Sequence, residues 1–447
     1  MLLHLFLQAF VLRSSFVSAE FLTPVPEHGN ATMPDLCQED TVMSCNLVQV
    51  DLARLQDSSM DFMGTTLDFK DMPGNNTYTF SSGFSEASFT VDTDLDVVWG
   101  HVQLSDGRDF IIEPNLDNCD GCHVVIEENE EAFPQDNVED LPSLDNEETR
   151  SNVAALLEKG KSDSTTVVTY TIMLYYTPEA RHSVDDMRTL AEDMIAKTNQ
   201  GYINSQIPLR AKLHCMEETK KPEAHFTKGS GHMLNVFATY LGGGNNLRRS
   251  ADAAVLLVKD ASPMCGWGAV ISDGDYANKM VSLTQLSCAE AGLTFGHELG
   301  HNMGLQHDKY SPRAGSGIVT PYSQGYHIPG TMFHTILAYP NDDQTVAANY
   351  YSNPRLAVGQ YVLGKAGEAD AAKRMTEVRF AIAENGDESE ACQLPGILSK
   401  TLPMRQTHKI TWALLWDFLD TSCRLPGYHL WLFGYAWILF WEYLGRS

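Results

Sequence analysis

The chain has 447 residues, a formal net charge of −27, 43% hydrophobic and 20% charged residues. That length leaves room for two or three domains, and the apolar content excludes both wholesale disorder and a polytopic membrane protein. The acidity argues against nucleic acid as a partner, because a phosphate backbone is bound with Lys and Arg. The charge is also uneven: residues 20–163 hold 31 Asp+Glu against 6 Lys+Arg, and residues 164–447 hold 27 against 24. Such a contrast predicts two domains.

The N-terminus reads as an export signal. Met1 to Phe10 is almost wholly apolar, and Val17-Ser18-Ala19 suits signal-peptidase cleavage before Glu20, making 1–19 a signal peptide. The alternative is an uncleaved anchor, but the run is short for a bilayer. Export would let the nine cysteines form disulfides, with at least one left free or paired between chains. Asn30 and Asn75 lie in glycosylation sequons.

Residues 20–130 read as strand-rich, with β-prone runs at Phe84–Val91, Val97–Leu104, Asp109–Glu113 and His123–Glu127 separated by turn residues. From about 128 to 164 the chain is acidic and lacks a sustained apolar period, which predicts a solvated linker with a short helical patch at Asn152–Lys159. From Thr165 strands and helices alternate. Strands are expected at Val167–Tyr176, Leu209–Cys215, Ala253–Val258, Gly266–Ile271 and Lys279–Leu286. Helices are expected at Ser183–Ser205, Met233–Leu241, from Ala289, and at Ala366–Glu384. This alternation predicts an α/β fold on a twisted, mostly parallel sheet. Residues 391–447 form a Trp-rich tail, within which Leu430–Trp441 carries no charge. That stretch is shorter than a spanning helix needs, though membrane contact through it stays open.

The chemistry is concentrated in His297-Glu298-Leu299-Gly300-His301-Asn302-Met303-Gly304-Leu305-Gln306-His307-Asp308. Histidines four apart share one helix face and can present both imidazoles to one ion. Gly304 can take positive φ and end the helix, and the returning chain brings His307 as a third ligand. Three neutral imidazoles leave one tetrahedral position open, as in a catalytic zinc site with a single Zn2+. Glu298, one residue after the first ligand, is placed to act as general base on the attacking water. By composition, the whole pattern arises by chance on the order of 1 in 10⁴ times in such a chain.

These residues resemble the extended zinc signature of metzincins, and Asp308 after the third His looks like the adamalysin (reprolysin) branch. The resemblance covers about Thr165–Glu384. It includes Cys265-Gly266, Ser287-Cys288-Ala289 and Tyr350-Tyr351-Ser352-Asn353-Pro354, and it implies a catalytic domain at 165–390. Residues 20–164 look like the propeptide of such enzymes, in Phe110-Ile111-Ile112-Glu113-Pro114 and Ala132-Phe133-Pro134, and no disintegrin or cysteine-rich module follows.

The resemblance implies a zinc endopeptidase acting on proteins or peptides, with its own propeptide as intramolecular inhibitor. Substrate would lie along an edge strand, matched by Gly266, Trp267, Gly268 and Ala269. Leu337 stands where the family has the Met of the Met-turn, with Met332 a rival candidate. Tyr339 is either an oxyanion-stabilising residue or a packing one. Cys265 and Cys288 are expected to pair. Cys119 or Cys122 could cap the zinc as a thiolate switch, or could pair in a disulfide. Activation cleavage is expected around Glu147–Ser164, where Arg150, Lys159 and Lys161 lie. The product is expected to be secreted. The alternatives are attachment to the cell surface through 430–441, and an inactive binding protein that keeps the fold.

Overall fold

The computed structural model describes residues 21–24, 37 and most of 42–384. The loops at 94–96, 116–121, 129–136, 140–146, 228–232, 243–250, 272–275, 312–319 and 341–344 and a few single positions are not described. The expected signal peptide, both sequon asparagines, Cys119 and the Trp-rich tail all lie outside the described residues. Among the described residues, no helix is long and apolar enough to cross a membrane.

The N-terminal region is one antiparallel sheet. Its strands are β1 (Leu22–Pro24), β2 (Val42–Val50), β3 (Ser59–Phe62), β4 (Thr65–Gly74), β5 (Thr77–Ser82), β6 (Ser85–Asp92), β7 (Val97–Gln103), β8 (Asp109–Pro114) and β9 (Cys122–Glu128). They lie in the order β1-β2-β9-β8-β7-β6-β5-β4-β3. Near-sequential order is what short turns such as those at Gly64 and Gly83, both at positive φ, allow. Phe62, Phe80, Phe89, Phe110 and Ile112 fill its core. All four β runs expected here are strands, each within one residue of its expected start.

The second sheet takes strands β10 (Asn137–Glu139), β11 (Val168–Tyr176), β12 (Leu209–Glu218), β13 (Ala253–Val258), β14 (Gly266–Ala269) and β15 (Val281–Gln285) in the order β10-β14-β15-β13-β11-β12. It is mostly parallel, and only β14 runs antiparallel to its neighbour β15. The wholly buried β13, Ala-Ala-Val-Leu-Leu-Val, is the continuous apolar run that a doubly covered parallel strand requires. One face carries the long helix Met187–Asn204, capped by the Asp186 carboxylate on the Arg188 and Thr189 amides, and the C-terminal helix Ala371–Ala383, capped by Asp370. Met173, Tyr175, Phe226 and Phe237 pack on the other.

The stretch 128–164 departs from the expected linker. Strand β10 pairs with β14, and a 16-residue helix, Glu147–Ser162, replaces the short helical patch. The helix is too polar to announce itself in the sequence. It is held by packing, with Val153, Leu156 and Leu157 against the core and Gly160 pressed on the C-terminal helix, where a Cβ would lie 2.0 Å from the Glu377 carbonyl oxygen.

The N-terminal sheet docks on the second domain. Trp99 joins the core beneath the long helix, Phe84 stacks on Phe333 at 4.7 Å, and Gln103 Nε2 donates to the Ala347 carbonyl at 2.6 Å.

Candidate active site

The active-site helix runs Thr294–Asn302, with all nine residues buried. It ends in a left-handed turn: Gly304 has φ +82°, Leu305 N donates to Gly300 O at 3.1 Å, and Gly304 N to His301 O at 2.8 Å. That bonding satisfies the last carbonyls and reverses the chain, the positive-φ stop expected from Gly304. The reversal brings His307 back beside the helix. The three Nε2 atoms of His297, His301 and His307 lie 3.0–3.1 Å apart.

The donor set fits a metal ion. His297 Nδ1 is 2.6 Å from the Ile336 carbonyl and His301 Nδ1 is 2.9 Å from the Leu305 carbonyl, so each Nδ1 carries the proton and each Nε2 presents a lone pair. Burial pushes the His301 imidazole down to about 4 and His297 well below its ordinary value, so both are neutral ligands at neutral pH. Lone pairs converging at 3 Å with no proton between them repel unless a cation lies among them. This triad is a metal-capable cluster among the described residues.

Glu298 is fully buried beneath β14. A Cβ on Gly266 would lie 2.5 Å from Glu298 Oε1, and one on Gly268 2.7 Å from Oε2, so β14, the expected edge strand that here has β10 outside it, rests directly on the carboxylate. The edge strand and the candidate base, far apart in the chain, therefore meet. Cys265 and Cys288 form the expected disulfide at the start of β14.

Leu337 lies under the helix, with its Cδ2 3.0 Å from where a Cβ on Gly300 would stand. Met332 is 38% exposed beside Gly107, so the rival Met-turn assignment fails. Leu337→Met is a near volume-conserving change and is expected to cost less than about 1.5 kcal/mol. Melting temperature, zinc content near one per chain and activity within about threefold of wild type check this; a variant that alone could hold zinc would contradict it.

The Tyr339 ring lies 4.3 Å from the His307 ring and 5.9 Å from that of His297, and its backbone N–H donates to Asp308 Oδ2 at 3.3 Å. Its ring thus packs against two of the three imidazoles. His334 is buried against Thr345, and His327 lies 3.7 Å from Asp308, so both histidines are packing residues. Cys122 is disulfide-bonded and Cys37 pairs with Cys45, so Cys122 has no thiolate for the metal.

Sequence reasoning missed several supports. Tyr351 Oη donates to Gly296 O at 2.9 Å, one residue before the first ligand, and Asn353 Nδ2 donates to Ser205 O. The Tyr-Tyr-Ser-Asn-Pro signature was the signal that could have located these ties. Arg374, which donates to the Met303 carbonyl from the C-terminal helix, had no signal.

A family model of metallo-peptidase family M12, Reprolysin_5, matches residues 166–355. The peptidyl-Asp metalloendopeptidase of Stenotrophomonas maltophilia (strain K279a) is 27% identical over 327 residues, 70% of this chain and 71% of that protein. That of Xanthomonas campestris pv. campestris is 26% identical over 295 residues, 64% of this chain and 67% of that protein. The fold and the site thus define a metal-dependent peptidase. Residues 166–355 are similar to the M12 metallopeptidases, and with these relatives they support a metzincin-like zinc metalloendopeptidase.

Proposed function

We propose that the chain is the exported zymogen of a zinc endopeptidase that cuts peptide bonds at Asp residues, with Glu298 as general base. The observation that carries the base assignment is the Glu298 carboxylate, buried one residue after a ligand and in contact with the edge strand. Zinc held by His297, His301 and His307 supplies Lewis acidity that polarises the scissile carbonyl and eases deprotonation of water. Glu298 takes the proton of the attacking water and delivers it to the leaving amine nitrogen. Strand β14 offers backbone groups to an extended peptide. The Asp preference comes from the names of the relatives alone. The apolar leader and the Cys37–Cys45 and Cys265–Cys288 disulfides support export.

Latency rests on β10. This strand pairs in parallel with β14, with Asn137 opposite Trp267, Val138 opposite Gly268 and Glu139 opposite Ala269. It takes the edge a substrate would use, so occlusion of that edge is the means of inhibition. A peptide-library digest before and after cleavage within 147–164 tests the reading. The precursor should be silent and the processed protein should cut at Asp. A Val138→Pro precursor, which lacks an N–H at the centre of β10, should gain at least about tenfold activity without processing. An active wild-type precursor, or cuts indifferent to Asp, would refute the corresponding part.

Docking of the prodomain should weaken as pH rises. Glu86 of β6 is enclosed between the domains and accepts from Asn204 Nδ2 at 2.8 Å and Asn349 Nδ2 at 2.5 Å. Burial pushes its carboxyl up from 4.5 to about 7, against the opposing pull of the two asparagine bonds. Asp109, bound to His101 at 2.6 Å, adds to the rise, and Lys197, paired with Asp193 at 3.2 Å, opposes it. Tyr350 faces the same carboxyl. Docking therefore takes up a proton: the Glu86 contribution is full below about pH 4.5 and is lost as pH rises through about 7. We expect the cleaved prodomain to bind up to about a hundredfold more weakly at pH 8 than at pH 5, and Glu86→Gln to flatten this slope. Size-exclusion chromatography across that range reads the bound fraction, and an unchanged slope in the variant would refute the assignment.

A further inference from the structure

The pairing of β14 with β15 stops one rung short. Gly266 lies opposite Thr284, Trp267 opposite Leu283 and Gly268 opposite Ser282, and the next rung, Ala269 opposite Val281, is absent from the ladder. A side chain from the active-site helix fills that gap. Asn302 Nδ2 donates to Ala269 O at 3.0 Å and to Val281 O at 2.9 Å, using both of its hydrogens. The amide orientation follows from chemistry, since the flipped form would press Oδ1 against two carbonyl oxygens. All three residues are buried, so without Asn302 those carbonyls would lose their donor where water does not reach.

The rung lies beside the reacting groups. Asn302 directly follows the ligand His301. The strand it holds crosses Glu298 through two residues that have no side chain. A Cβ on Gly268 would stand 2.7 Å from the Glu298 carbonyl oxygen and 2.9 Å from His301 Cβ, and one on Gly266 would reach Glu298 Oε1 at 2.5 Å. No side chain fits in that gap. A slip of β14 by one residue would turn Trp267 or Ala269 toward the carboxylate, because a one-residue shift exchanges the faces of a strand.

We propose that Asn302 is a positioning residue for peptide hydrolysis. By bridging the missing rung between β14 and β15, it sets, together with Gly266 and Gly268, the register and spacing of the substrate-bearing strand over Glu298. The inference rests on the reading of Glu298 as base and of β14 as substrate strand. It adds a residue that touches neither substrate nor metal yet fixes where an extended peptide lies relative to both.

The test uses the full chain, loaded with zinc and activated by cleavage within 147–164. Asn302→Asp keeps the shape and removes both donors. Two substrates are compared: a hexapeptide long enough to pair along β14, and a dipeptide chromogen that does not reach it. Zinc should stay near one per chain. Turnover of the hexapeptide should fall about a hundredfold, mostly in kcat, while that of the dipeptide changes less than about threefold. A hexapeptide with its scissile amide reduced to CH2–NH should bind about tenfold more weakly.

A general loss of stability would lower both substrates together, so an unchanged hexapeptide-to-dipeptide ratio would overturn the inference. Loss of zinc would overturn it too, since Asn302 would then serve the ligands rather than the strand. If Asn302→Asp does not fold, Asn302→Ala decides, because it removes both donors without adding a charge; the same selective loss is expected, and its absence refutes the proposal. Glu298→Gln is run alongside. If that variant stays active, the reading of the base fails; if it is inactive while Asn302→Asp keeps the wild-type ratio, only the positioning role fails.

Discussion

Glu298→Gln is expected to keep zinc and fold while kcat for peptide hydrolysis falls by about 10²–10⁴. Gln has nearly the volume of Glu and enters the same space beneath Gly266 and Gly268, so β14 has no reason to move. In the proposed mechanism the substitution removes the group that accepts the water proton and returns it to the leaving amine. The three imidazoles and their carbonyl partners are untouched. Metal analysis should give about one zinc per chain, and the melting temperature should match wild type. Peptide cleavage near the wild-type rate would assign the base elsewhere.

His301→Ala is expected to remove both metal and activity. His301 is the central member of the triad, with Nε2 3.0 Å from each of the other two, and is fully buried. Two remaining imidazoles make a poor site for a tetrahedral ion. The second signature is thermodynamic. Zinc bound to the folded state alone stabilises the wild type by about 4 kcal/mol when present at a thousand times its dissociation constant. The wild type should therefore melt higher with zinc than with chelator, and the variant should melt alike in both. Calorimetry with metal analysis reads the two together. A variant that retained stoichiometric zinc would remove His301 from the ligand set.

Both effects were legible before any coordinates because the signals are local. Histidines four apart on a helix share a face whatever surrounds them, and Gly304 ends that helix through its own positive φ, bringing the third ligand within reach. The same holds for the short apolar strand Ala253–Val258, the β-prone runs of the N-terminal sheet and the Cys265–Cys288 pair. In each case pattern over a few residues, or motif resemblance, carries the information.

The tertiary structure decided what depends on distant partners. Strand β10 is three residues in an acidic, Pro-containing stretch, and it becomes a strand because β14 presents an open edge. The helix Glu147–Ser162 forms because the C-terminal helix covers it. Glu86 lies in the β run Phe84–Val91, and it is Asn204 and Asn349 of the other domain that enclose its carboxylate. Asn302 lies between His301 and His307 in the motif, and its bonds to Ala269 O and Val281 O depend on where β14 and β15 part over the helix. Sequence alone thus singled out the three imidazoles that can hold a metal and the carboxylate proposed to move the proton, because helix geometry is set by nearest neighbours. What covers, gates and aligns that site was decided by contacts between segments far apart in the chain, which no local period encodes.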